Sequence, residues 1–127
     1  MWSECKKPVG RGRRRLRPYA SINARGEIVL NPSVFTLLDG LHYASLHYDK
    51  ATGSIAIARP TLTGRIYNVR KFGRHGRLRV VRARRFLRHF GLHITQTLTF
   101  TDITQQPGSV LILNLSSARK INDDRDG

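Results

Sequence analysis

Gly26-Glu27-Ile28-Val29-Leu30-Asn31-Pro32 is the stretch on which the fold turns. Ile28 and Leu30 recur with the period of two that marks a strand, and Gly26 supplies the tight turn before them. Asn31-Pro32 then opens a helix. The Asn side chain can cap free N–H groups, and Pro at the first helical position gives up only a donor that has no intrahelical partner. Val34, Leu37, Leu38 and Leu41 follow at i, i+3, i+4 and i+7, one apolar stripe that Asp39-Gly40 brings to an end. Upstream, Ile22 and Ala24 belong to a preceding strand. Downstream, Ala44, Leu46 and Tyr48 alternate, Asp49–Gly53 turns the chain, and Ile55-Ala56-Ile57 runs back to Arg59-Pro60.

About fifty residues on, the pattern returns. Gly76-Arg77-Leu78-Arg79-Val80 leads into Ala83, Phe86, Leu87 and Phe90. Leu98 and Phe100 follow, Pro107-Gly108 ends a turn, and Val110 and Ile112 stand where Ile55 and Ile57 stood. Thr61–Gly64 links the halves, and Ile66, Asn68 and Arg70 alternate with Tyr67 and Val69 as the strand that opens the second. Each half therefore reads β-β-α-β-β. A unit that cannot bury its own apolar face implies a core shared with its neighbour. The expected fold is mainly β (α+β): two β-β-α-β-β repeats with two short helices in one closed or nearly closed sheet, which leaves no open edges. The repeats span about 19–60 and 65–115 of a single domain, 19–116. A basic flexible arm, 1–18, precedes it, and a flexible tail, 117–127, follows.

Charge points to the partner. The 127 residues hold 23 Lys and Arg against 8 acids, a net charge of +15 and a pI near 11.5. Such an excess calls for a polyanion, most often nucleic acid. Between Asp49 and Asp102 no acidic residue occurs, while ten Lys or Arg lie from Arg65 to Arg88. A surface built only for solubility mixes both signs. Arg77 and Arg79 alternate with Leu78 and Val80, which predicts both guanidinium groups on the outer face of one strand. On the second helix, Arg82, Arg84, Arg85, Arg88 and His89 fill the arc opposite Ala83, Phe86, Leu87 and Phe90. In the arm, Arg13, Arg14 and Arg15 are suited to lying along phosphates. Phe72, among Gly and basic residues, is the one loop candidate for base stacking.

Other classes find little support. Cys5 is the only cysteine, which excludes an internal disulfide and a thiolate metal cluster. No apolar run approaches the ~18 residues of a spanning helix, and the N-terminus lacks the apolar stretch of a leader. The expectation is an intracellular protein without a membrane partner. His42 and His47, five apart on a predicted strand, point to opposite faces; His89 and His93 are interrupted by Gly91 and have no Asp or Glu nearby; and Gly73-Arg74-His75-Gly76 lacks the Lys-Ser/Thr of a phosphate loop. No catalytic residue, metal or cofactor is therefore expected.

The stretch from Ile22 to Pro32, with Leu46-His47-Tyr48-Asp49-Lys50-Ala51-Thr52-Gly53-Ser54-Ile55-Ala56-Ile57-Ala58-Arg59-Pro60, resembles the AbrB/MazE/SpoVT family of swapped-hairpin barrels. The likeness is close over Tyr19–Pro60 and looser over Tyr67–Leu115. It implies one swapped-hairpin β-barrel formed within a single chain, a pseudo-dimer, either monomeric or as a homodimer. It also implies duplex DNA binding by a transcriptional regulator or antitoxin-like factor, cytoplasmic and nucleoid-associated. Carried over residue by residue, it assigns DNA contact to Arg25 in the first half and to Arg70, Lys71, Arg74, Arg77 and Arg79 in the second; Arg82 and Arg85 adjoin them. RNA or an acidic protein partner remain the alternatives.

Overall fold

The protein's computed structural model describes residues 17–61 and 64–120. The first strand pair is β1 (Ala20–Ile22) and β2 (Glu27–Leu30), joined by the Gly26 turn. Helix α1 (Pro32–Leu37) starts as its sequence requires: Asn31 Oδ1 accepts the Val34 N–H at 3.0 Å, and Pro32 opens the helix. Asp39 and Gly40, both at positive φ, end it. A long strand, β3 (Tyr43–Asp49), then forms a hairpin with β4 (Ser54–Ala58). The second half holds β5 (Tyr67–Asn68), β6 (Arg70–Phe72), β7 (Leu78–Arg82), α2 (Arg84–His89), β8 (Leu98–Phe100), β9 (Ile103–Gln106) and β10 (Val110–Asn114), three strands on either side of its helix where the sequence predicts two. A 3-10 turn at Leu115–Ser117 and β11 (Arg119–Lys120) follow. The folded chain thus runs on past residue 116, because β11 pairs with β8 where a flexible tail was expected.

All the ladders are antiparallel, and they form two sheets. One has the order β11-β8-β1-β2-β7-β6, the other β5-β3-β4-β10-β9. The halves interleave in both: β2 pairs with β7, and β4 with β10. The chain changes sheet twice within what is nearly one strand. Only Val69 separates β5 from β6, and its N–H still bonds the His42 carbonyl at 2.8 Å. Thr101 and Asp102 separate β8 from β9 in the same manner. One apolar cluster lies between the layers, with Ile22, Ile28, Leu30, Ile55, Ile57, Val81, Phe100, Leu111 and Leu113 at its centre.

The second half departs from the sequence reading at two registers. In β10 the buried residues are Leu111 and Leu113, paired with Ile57 and Ile55, whereas Val110 and Ile112 are only half-buried. In β7, Val81 lies opposite Ile28, and Arg79 lies opposite Leu30. Directly opposed residues share a face, so Arg79 is on the core side of its sheet and not on the outer one. A one-residue slip exchanges the faces of a strand.

That inward arginine is not a bare buried charge. Its guanidinium carbon lies 4.3 Å from the centre of the Phe35 ring on α1, and Nη1 donates to the carbonyls of Gly76 at 2.8 Å and Leu78 at 3.1 Å. Arg79 therefore ties the β6–β7 loop of one half to the helix of the other. Replacing it with Ala should lower stability by about 1–2 kcal/mol, since a stacked cation and two carbonyl partners are lost together. The exposed neighbour Arg77 should cost no more than about 0.5 kcal/mol. Urea unfolding of the two variants measures the contrast, and equal effects would return Arg79 to the outer face.

Candidate nucleic-acid interface

Helix α2 is held by its apolar side. Ala83, Phe86 and Leu87 are buried, and the Ala83 N–H donates to the Gly26 carbonyl at 2.8 Å. The contact is so close that a Cβ on Gly26, whose φ is +85°, would fall 2.8 Å from the Arg84 Cα. The same 3.6-residue period that buries Phe86 and Leu87 leaves Arg84, Arg85 and Arg88 exposed on the far side. Facing them is the segment Arg65–Arg70, where Tyr67 pairs with Ala44 at the edge of the second sheet. The Tyr67 ring meets Phe86 edge-on, with centroids 6.5 Å apart.

Between α2 and this segment lie three adjoining depressions that share Tyr67 and Arg85. The first, about 320 Å³, is lined by Leu46, Arg65, Tyr67, Arg85, Phe86, His89 and Phe90. The second, about 450 Å³, is formed by Tyr67 with Arg82, Arg84, Arg85 and Arg88. The third, about 290 Å³, adds Arg70, Ile66 and Asn68. Together they make a groove walled by arginines. None of the four described carboxylates (Glu27, Asp39, Asp49 and Asp102) lines it.

Three of those carboxylates, Glu27, Asp39 and Asp49, are engaged elsewhere. Glu27 Oε1 accepts from Asn23 Nδ2 at 2.9 Å and lies 3.1 Å from the Arg25 guanidinium. The Asn23 hydrogen bond and the Arg25 hydrogen bond and charge, with Arg82 adding to them, hold the Glu27 carboxyl below the usual carboxylate range despite its partial burial. It stays ionised at neutral pH and keeps Arg25 paired. Asp39 binds Arg59 at 3.1 Å and accepts from the Ser109 hydroxyl. Asp49 accepts the Ala51 N–H. The six groove arginines form no ion pair with any described residue.

The sequence candidates therefore divide. Arg70, Arg82 and Arg85 come together in the groove. Arg25 is exposed but neutralised by Glu27, and Arg79 is withdrawn under Phe35. Lys71, Arg74 and Arg77 stand exposed around the β6–β7 loop, apart from the groove lining, and Phe72 is half-buried on β6. Arg13, Arg14 and Arg15 lie outside the described residues. Sequence reasoning gives Arg65 only as the first of ten cations and Tyr67 only as an alternating strand position, and it leaves Arg84 and Arg88 between backbone contact and solvation. Nothing local marks them, because the groove exists only once β5 lies beside α2.

Among the described residues no group of three or more His, Cys, Asp or Glu is placed to hold a metal ion, and no helix is long and apolar enough to cross a membrane. All five histidines are exposed. No family model matches the chain, and no match is found among curated proteins or solved structures.

Proposed function

We propose that this chain is a nucleic-acid-binding protein that grips the phosphate backbone of duplex DNA, in the manner of a small transcriptional regulator or antitoxin-like factor associated with the nucleoid. The observation that carries the reading is the groove between α2 and β5, walled by six arginines and free of described carboxylates. Arginine forks suit phosphate oxygens, and their mutual repulsion is relieved by a polyanion. The AbrB-like swapped-hairpin barrel is part of the same proposal. Its support is the interleaving of the halves, with β2 on β7 and β4 on β10, and the two segments that serve both sheets, 67–72 and 98–106. In the proposed barrel those segments carry the strand order from one sheet to the other, and the chain acts as its own dimer.

The charge on this scaffold is one-sided. Helix α2 carries Arg84, Arg85 and Arg88, whereas its counterpart α1 carries Ser33 and Thr36 and is followed by Asp39. A pseudo-dimer with one basic face contacts duplex DNA once, so its target need not be a palindrome.

Fluorescence anisotropy of the full chain with duplex DNA, duplex RNA and heparin, titrated over salt, tests the reading. Duplex DNA should bind with a log–log salt slope of about −3 to −5, near −0.9 for each phosphate neutralised, and should survive heparin competition. Equal, salt-labile binding to all three polyanions would make the charge generic and turn attention to an acidic protein. Tighter binding to duplex RNA would overturn the choice of DNA.

A further inference from the structure

The groove is not chemically uniform along its length. One end, around Arg82, Arg84, Arg85 and Arg88, presents only cations and the Tyr67 ring. The other end presents Leu46, Tyr67, Phe86 and Phe90 as its wall, with Arg65, Arg85 and His89 beside them. Phe90 is 38% exposed although it touches three other rings: Tyr48 and Phe86, each at 5.1 Å, and His89 at 4.7 Å. Those neighbours fix the ring while leaving part of it open to the groove. Gly91, at φ +69°, ends the helix immediately after it.

A pocket that is aromatic at one end and cationic at the other matches a nucleotide, a flat π-system carrying an anion. A paired base cannot use it, since stacking within the duplex hides both faces and leaves only edges in the grooves. An unpaired base has a free face, and stacking on an aromatic ring is the sequence-tolerant way of holding it. The volume, about 320 Å³, falls at the small end of the range of about 300–1,000 Å³ for ligand sites, suited to one such group.

Resting on the nucleic-acid reading above, we propose that the pocket formed by Leu46, Tyr67, Phe86, His89 and Phe90 holds a single unpaired nucleobase, with its flanking phosphate on Arg65 and Arg85. The protein then prefers a duplex interrupted by a bulge over a flush one. Arginines along the rest of the groove hold the adjoining backbone in either case.

The test uses the full chain and two DNA duplexes, one flush and one with a single bulged 2-aminopurine. The bulged duplex should bind roughly tenfold tighter, and its 2-aminopurine emission should be quenched on binding, as expected for a base stacked on an aromatic ring. Phe90→Ala should bring the ratio of bulged-duplex to flush-duplex affinity down to about one, both affinities being read on the same variant. The quenching in the unaltered protein needs no variant, so a folding defect in Phe90→Ala does not blunt the test. Flush-duplex binding with no gain at the bulge and no quenching would overturn the pocket and leave the phosphate grip standing. Failure to bind either duplex would overturn the duplex-DNA reading itself.

Discussion

Leu113→Ala should lower stability by about 2–5 kcal/mol, whereas Ile112→Ala should cost less than about 1.5 kcal/mol. Leu113 is fully buried opposite Ile55, with Ile103 as its other cross-strand partner, so truncation leaves a cavity in the shared core. Ile112 points the other way. It pairs with Ala56 and Thr104 and lies in an open depression with His47, Ser54 and Asn114 on the outer face of the second sheet. Urea unfolding of both variants reads the difference directly. Should Ile112→Ala prove the more costly, the β4–β10 register would be shifted by one residue, and with it the face that the second half contributes to the core.

Reversing two charges in the groove should have the largest effect on binding. Arg65→Glu with Arg85→Glu removes two cations shared by adjoining depressions and puts like charge against phosphate. At about 1–3 kcal/mol for each arginine, before repulsion is added, duplex affinity should fall at least a hundredfold. Both positions are exposed and form no ion pair with a described residue, so the melting transition should move little. Arg74→Ala with Arg77→Ala, on the β6–β7 loop, is the comparison and should cost clearly less. A larger loss from the loop pair would move the contact surface from the groove to that hairpin, where the sequence alone had placed it.

Much of the local structure was legible because it rests on near-neighbour chemistry. Asn31-Pro32 caps and opens α1, and Asp39-Gly40 closes it. The buried side of α2 follows from the spacing of Ala83, Phe86 and Leu87. The candidate site was legible in composition but only in part by residue. An acid-free run with ten cations pointed to the second half, yet Arg25 and Arg79 had partners that no spacing reveals. Glu27 lies two positions beyond Arg25, but whether the two meet depends on the turn bent by Gly26 and on Asn23 orienting the carboxylate. Phe35 reaches Arg79 only because the helix of one half lies against a strand of the other.

What the sequence by itself determined is the mainly β class, the two short helices, the single apolar core and the cationic character of the second half. These depend on period, turn chemistry and charge, all of which act over a few residues. Tertiary structure alone decided which face of β7 joins the shared core and which face of β10 is buried. Leu78-Arg79-Val80-Val81 and Val110-Leu111-Ile112-Leu113 each place apolar residues at adjacent positions, so alternation leaves both registers open. Pairing with Ile28 in one sheet and with Ile55 and Ile57 in the other selects between them. The groove belongs to the same category. Its walls come from residues 65–66, four strands (β3, β5, β6 and β7) and helix α2, and the chain supplies those cations without stating which will meet until the two sheets pack on one core.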